Sequence, residues 1–303
     1  MTKYLFFWVT IICAFALPIQ AQEEGVRQLV PEEFIKARAK KNLSSPAKLP
    51  QYRVSTPAGK TSTASEVQCQ SADCRQLGLT LWRLRGTKAT DQEVARIIVQ
   101  EGNQIREFIP ERIAANTPMN YGERIRLSFE APYKGYLYVI DRELYADGSA
   151  GKPYLIFPTR RTREGDNQVA PGHLIEIPAQ DDRPNFFTLK QSRPDNISEL
   201  ITVIVSRQPL AGITITDEAQ ELRIEQVKQW EQQWSGKTEQ FEMVGGAGLT
   251  WTKVEQQVGA DRTRDLGQND PGPQTIYRVV VKPDMPLLVK IGLRYQKAAK
   301  VKK

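Results

Sequence analysis

GERIRLSFEAPYKGYLYVID, Gly122–Asp141, decides the fold class. In its first half Ile125, Leu127 and Phe129 alternate with Arg124, Arg126, Ser128 and Glu130, which is the period of a half-buried strand. A short APYK connection leads to Gly135–Asp141, where Tyr136 and Tyr138 face opposite to Leu137 and Val139. Apolar on both parities, this segment predicts a central strand covered on two faces. Asp147-Gly148 is the next turn signal, and KPYLIFPT (Lys152–Thr159) follows it. HLIEIP (His173–Pro178), NFFTLK (Asn185–Lys190) and ELITVIVSR (Glu199–Arg207) continue the series. Pro158, Pro178 and Pro209 stand at strand exits, where a missing N–H costs the ladder least. Short strands closed by Gly, Pro, Asp or Asn predict a mainly β chain, an antiparallel β-sandwich or open barrel.

The succession of GYLYVID, the Asp-Gly turn, LIFPT, Asn167-x-Val169 with Gly172 beyond it, IP and then LITVIVSRQPL is distinctive. Over about Pro118–Leu210 it resembles a bacterial family known only as a domain of unknown function. That family is often appended to exported, kinase-like or caspase-like proteins. The resemblance implies a β-rich module and carries no catalytic residues onto this chain. Kinase and caspase signatures are missing from the sequence, so those associations do not transfer.

Met1–Ala21 has Lys3, an apolar run from Tyr4 and small residues near its end, the layout of a secretory signal peptide cleaved after Ala21. An uncleaved membrane anchor is the alternative, but Pro18 and Gln20 interrupt a stretch already short for spanning a bilayer. The expected location is therefore periplasmic or secreted. Of the three cysteines, Cys69 and Cys74 lie beyond this segment. In an oxidising compartment a C-x4-C pair favours a small disulfide loop over free thiols. One histidine in the whole chain leaves too few soft ligands for a structural zinc site. The net charge of +7 reads first as solubility, and outside the cytoplasm it suits an anionic envelope polymer better than nucleic acid.

Residues 22–66 are polar and proline-punctuated, with one brief amphipathic stretch in PEEFIKARAKK, and read as a flexible linker. Ser45-Pro46-Ala47-Lys48 matches the S-x-x-K of serine acyl-enzymes only formally, because that chemistry needs a serine at a buried helix start. The sandwich domain is expected over 67–210, opening with the strand LGLTLWRLR (Leu77–Arg85). Thr90 and Glu93 have capping-box spacing before VARIIVQE, favouring a short helix, although its β-branched residues suit a strand nearly as well.

After Leu210 a small α/β extension, 211–303, is expected. Its first helix runs Asp217–Trp234, capped by Asp217, with Ile224, Val227, Trp230 and Trp234 on one stripe that anchors it to a sheet. Thr252 and Glu255 form a second capping box, opening a helix to about Leu266. A terminal β-hairpin of TIYRVVVK and LLVKIGLRY, joined at Pro283-Asp284, precedes a basic tail.

Each catalytic pattern tested fails. Gly245-Gly246-Ala247-Gly248 lacks the further glycine or lysine that dinucleotide or P-loop binding requires, and reads as a turn that lets backbone approach another element. No nucleotide or other cofactor is implied. His173, the one histidine, sits at a strand entry beside a turn glycine, without a G-x-S-x-G nucleophile elsewhere. Asp141 and Asp147 are weak calcium-turn candidates, since Tyr145 occupies the position where a third oxygen ligand belongs. Acids gather in the turns, including Glu143, Asp166, Asp181 and Asp182, so a carboxylate pair for hydrolysis stays open. Arg160, Arg161 and Arg163, near Tyr136 and Tyr138, are the candidate cationic–aromatic contact face. The expectation is an exported, non-catalytic interaction module of the cell envelope, its partner an envelope protein or anionic polymer. A carboxylate-dependent hydrolase of envelope polymers and an accessory of an envelope or secretion complex are the alternatives.

Overall fold

Two antiparallel sheets pack face to face in the computed structural model, which describes residues 34–35, 38, 50–55, 74–89, 91, 94–261, 265–282 and 284–296. The signal segment, Cys69, Ser45–Lys48 and the basic tail lie outside the described residues.

In chain order the first strands are β1 (Tyr52–Val54), β2 (Cys74–Gly86), β3 (Ile97–Glu101), β4 (Gln104–Ile113), β5 (Arg124–Glu130) and β6 (Gly135–Tyr145). There follow β7 (Tyr154–Phe157), β8 (Gln168–Val169), β9 (Leu174–Ile177), β10 (Phe187–Thr188) and β11 (Asn196–Ser206). The last are β12 (Gln220–Glu221), β13 (Thr238–Met243), β14 (Thr275–Val280) and β15 (Leu287–Arg294). Helix α1 (Ile224–Trp234) lies between β12 and β13, and α2 (Lys253–Ala260) between β13 and β14.

The larger sheet is organised on β2, whose 13 residues are long enough to take two partners end to end on one side. Residues Cys74–Leu79 pair with β14 and Leu81–Gly86 with β4, while β5 runs along Gly78–Leu84. Strands β9 and β10 then flank β5. The smaller sheet has the order β12-β7-β6-β11-β15, with β8 also on β6. As the sequence pattern predicts, β6 is central and covered on both faces. Leu137 and Val139 enter the core between the sheets, whereas Tyr138 and Ile140 enter a second cluster outside. Leu79, Leu127, Phe129 and Ile177 from one sheet meet Phe157, Val203, Val289 and Ile291 from the other. This is a sandwich, and no closed barrel forms.

Helix α1 covers the outer face of the smaller sheet. Val227 and Trp230 are buried against Tyr138, Leu155 and Ile204, so the expected stripe does anchor a helix to a sheet. Burying each such side chain contributes about 2 kcal/mol. The helix starts later than the sequence predicts: its N-cap is Arg223, without a side-chain cap bond, and Gln220–Glu221 is an edge strand on β7. Asp217 lies in the connection before it and does not cap it. Pairing with the open edge of β7 replaces the first turns of the expected helix.

Three further expectations are corrected. The stretch expected as a helix after Thr90 is β3, where Ile97 and Val99 are buried and pair along β4, so β-branched packing overrides the capping spacing. The segment read as a linker is in part structural: Tyr52–Val54 pairs with β13, and Ile35 and Arg38 are buried. The expected terminal hairpin does not form. Strand β14 pairs with β13 and β2 in the larger sheet, while β15 pairs with β11 in the smaller one. The chain after Leu210 therefore enters both sheets of the sandwich.

The alternation in β5 hides one more difference. Arg126, Ser128 and Glu130, the polar parity, are buried at 1%, 3% and 3% exposure. Ionic and hydrogen-bonded partners make that burial tolerable. Arg126 meets Glu176 at 3.0 Å, Arg38 Nε donates to Glu130 at 3.1 Å, and Trp82 Nε1 donates to Ser128 Oγ at 2.8 Å. Arg112 pairs with Glu255 on α2, whose capping box is complete: Glu255 N donates to Thr252 Oγ1, and Thr252 N donates to Glu255 Oε2.

Candidate functional site

At one edge of the sandwich the two sheets part, leaving a cavity of about 580 Å³ between them. Ile125 and Leu127 of β5 and Phe187 beside β5 form one wall, and Ile156 of β7 with Ile201 of β11 the other. The floor is acidic. Asp141, Glu143 and Glu199 line it, with Tyr145 and Ser192 alongside.

Register explains why acids face inward. On β6 the core parity is Leu137, Val139, and two residues on it reaches Asp141 and Glu143. On β11 the core parity Val205, Val203, Ile201 arrives at Glu199. The strands pair antiparallel with Ile201 opposite Asp141 and Glu199 opposite Glu143. Asp141 and Glu199 are therefore diagonal neighbours on the interior face, close enough for their charges to interact.

The three carboxyls have different surroundings. Glu143 accepts from the backbone N–H of Ser192 at 2.8 Å, from the Ser192 hydroxyl and from the Tyr145 hydroxyl at 2.8 Å. Those hydrogen bonds outweigh burial and hold its carboxyl below the usual range. Glu199 is 4% exposed; its Oε1 accepts from the Tyr295 hydroxyl at 2.6 Å and from Asn196 Nδ2 at 3.0 Å. Its Oε2 is shut off from solvent and has no hydrogen-bond partner among the described residues. Burial raises its titration despite the two donors. Asp141 Oδ1 is likewise enclosed and unpartnered. Burial first, and the charge of Glu199 second, push Asp141 up to about 8. Near neutral pH the floor thus holds ionised Glu143 beside protonated Asp141.

The mouth is basic and mixed. Lys190 and Lys152 stand there, the latter paired with Glu221 at 2.9 Å, and exposed Ala219 forms part of the rim.

The expected contact face does not assemble. Arg160 and Arg161 are exposed but pair with Asp217 at 3.4 Å and Glu218 at 3.0 Å. Arg163 is 4% exposed; its backbone N–H donates to Asp182 at 2.9 Å and its Nε to the Asp166 carbonyl at 3.3 Å. Tyr138 is buried, its hydroxyl accepting from the Leu210 N–H, and Tyr136 packs against the same cluster beneath α1. The tyrosines' parity, opposite to the core, sends them under the helix rather than to a surface. Other arginines take the aromatic partners nearby: Arg193 lies 3.8 Å over Tyr145 and Arg207 4.7 Å over Tyr133.

Asp141 and Asp147 are also separated. Asp147 caps its own turn, accepting from the Ser149 N–H at 2.8 Å, while Gly148 takes the positive φ of 83°. Among the described residues no three His, Cys, Asp or Glu side chains are grouped to hold a metal ion. Cys74 is disulfide-bonded, its partner lying outside the described residues. His173 pairs through Nε2 with Asp265 at 2.9 Å and takes no part in the acidic floor. Gly248 N donates to the Arg112 carbonyl at 2.8 Å, the close backbone approach expected of the glycine-rich turn.

Glu199 was not singled out by its sequence context, because it opens an apolar strand. Extending the core parity of β11 backwards by one step from Ile201 identifies it. No protein-family model, curated protein or solved structure matches this chain.

Proposed function

We propose that this is an exported, non-catalytic binding protein of the bacterial cell envelope, and that it takes part of an envelope partner into the cleft between its sheets. The observation that carries this reading is the cleft itself: an apolar-walled cavity of about 580 Å³ whose floor has two carboxyl oxygens without a partner among the described residues. Cavities of this size, lined by apolar side chains with a few convergent polar groups, suit ligand binding. The export signal and the resemblance to a bacterial domain of unknown function support the envelope as its setting. Among the described residues no helix is long and apolar enough to cross a membrane.

The test is retention of the purified protein on cell-wall and lipopolysaccharide fractions, with Ala219→Trp as control. That substitution hangs an indole over the mouth from an exposed position, so the fold is spared. The reading predicts retention that the variant loses, without release of soluble product. Retention unchanged by Ala219→Trp would contradict it.

One observation favours a second reading, a hydrolase. Asp141 protonated beside ionised Glu143 is the division of labour that acid–base catalysis uses. Product release abolished by Asp141→Asn would establish it over binding alone.

A further inference from the structure

The floor of the cleft also indicates what enters it. We infer that the cleft seats an amphiphilic organic cation, with a primary ammonium against Asp141 and Glu199 and an apolar body along Ile125, Leu127, Ile156 and Phe187. The inference rests on the binding reading given above.

Two facts point to a donor-rich cation. Asp141 Oδ1 and Glu199 Oε2 are both enclosed and both lack a donor among the described residues. An enclosed acceptor without a donor costs about 1–3 kcal/mol, and more when it is charged. An ammonium brings three donors and a positive charge to two carboxyl oxygens that, among the described residues, have no partner beyond the single proton Asp141 itself carries. The neighbouring acid does not compete, because Glu143 is already engaged by Ser192 and Tyr145. The walls are apolar on both sheets, so they accommodate a hydrocarbon body rather than a hydrated metal ion.

Other titratable groups surround the pair: Arg142 and Tyr154 line the same cleft, Arg142 being paired with Glu231 at 2.9 Å. Glu143 flanks Asp141 on its own strand, and Tyr145 lies beyond it. Tyr295 follows β15, its hydroxyl on Glu199, and the Tyr121 ring packs against that of Tyr295, tilted by 30° with centroids 4.0 Å apart. The hydroxyls of both tyrosines stay protonated well into alkaline solution, because burial raises them. Lys152 and Lys190 also line the cleft; both are exposed, and Lys152 is paired with Glu221 at 2.9 Å.

Binding then has a proton signature. In the empty cleft Asp141 carries a proton up to about pH 8. The arriving ammonium stabilises the carboxylate, so the acid's O–H bond breaks and its proton passes to buffer, while the ligand keeps its own.

Calorimetric titration with n-hexylammonium, hexanol and hexanoate at pH 7, in two buffers of different protonation enthalpy, tests the inference. Hexylammonium is expected to bind at least tenfold more tightly than hexanol, with a heat that depends on buffer and reports proton release. Asp141→Asn should abolish the buffer dependence and bring the two affinities together, and Glu199→Gln should likewise erase the preference. Ala219→Trp should weaken every ligand. If hexanol or hexanoate binds as tightly as hexylammonium, the cation inference fails while the cleft remains a binding site. If none of the three binds, both fall together. Hexylammonium binding that survives Ala219→Trp places its site elsewhere and overturns the inference.

Discussion

Glu199 and Asp141 stand diagonally across β11 and β6 on the interior face of the smaller sheet, each with one carboxyl oxygen enclosed and without a partner among the described residues. A sandwich interior normally carries apolar side chains at such positions. Two acids there cost stability unless a ligand, a proton or both answer them.

The first consequence is a pH dependence of stability. Asp141 titrates at about 8 in the fold and near the ordinary carboxylate value of about 4 when unfolded. Between those values the folded state holds a proton that the unfolded state has lost, so stability falls as pH rises from about 4 to about 8. The slope contributed by one such group is at most roughly 1.4 kcal/mol per pH unit. Asp141→Asn should remove that slope, making the variant more stable than the wild type at pH 8 and nearly equal to it at pH 4.5. Urea unfolding across this range measures it, and an identical slope in both proteins would contradict the assignment.

Beneath α2 the larger sheet buries Arg126 and Glu176, each 2% exposed at the side chain and 3.0 Å apart. Removing one partner leaves the other buried without its counter-charge. Glu176→Ala is expected to cost about 3–5 kcal/mol in chemical denaturation. The double change Arg126→Met with Glu176→Leu should recover most of that loss. A double variant as unstable as the single one would show that the pair is worth more than its removal.

Gly259 is where α2 presses on this pair. A Cβ there would come within 2.3 Å of the Glu176 carboxylate, whereas one at Gly292 on β15 would meet nothing within 4 Å. Gly259→Ala should lower stability by about 1–3 kcal/mol, the usual cost of overpacking. Gly292→Ala should be neutral or slightly stabilising. Thermal unfolding of the two variants side by side separates the packing effect from glycine's backbone freedom.

The capping box of α2 gives a smaller, cleaner effect. Thr252→Ala removes the acceptor for the Glu255 N–H, now at 3.1 Å, and should cost about 1 kcal/mol. Glu255→Gln keeps a hydrogen-bonding end but weakens the buried pairing with Arg112, so it should cost more than Thr252→Ala. Equal losses would mean that the ionic contact contributes little.

Much of this architecture was readable from residue patterns because period-two alternation is a direct imprint of a sheet between two environments. Leu137 against Tyr138 located β6, and Thr252 with Glu255 located the start of α2, although the helix ends at Ala260, short of the expected Leu266. Failures arose where tertiary partners outvoted local preference. Asp217 is a good cap, yet the open edge of β7 claimed the residues after it. TIYRVVVK and LLVKIGLRY look like a hairpin, but local sequence cannot say that each finds a longer partner in a different sheet. Arg126 and Glu130 read as solvent-facing because their covering segments are remote in sequence. The cleft acids follow from parity alone once β6 and β11 are paired. That pairing is what a single sequence does not display.

Whether the cleft between the sheets is a ligand seat is tested most directly by methyl-selective NMR on Ile125, Leu127, Ile156 and Ile201 during titration with n-hexylammonium. The account predicts saturable shifts concentrated on these four wall residues and lost in Ala219→Trp. Shifts that never saturate, or that centre instead on the residues beneath α1, would contradict it.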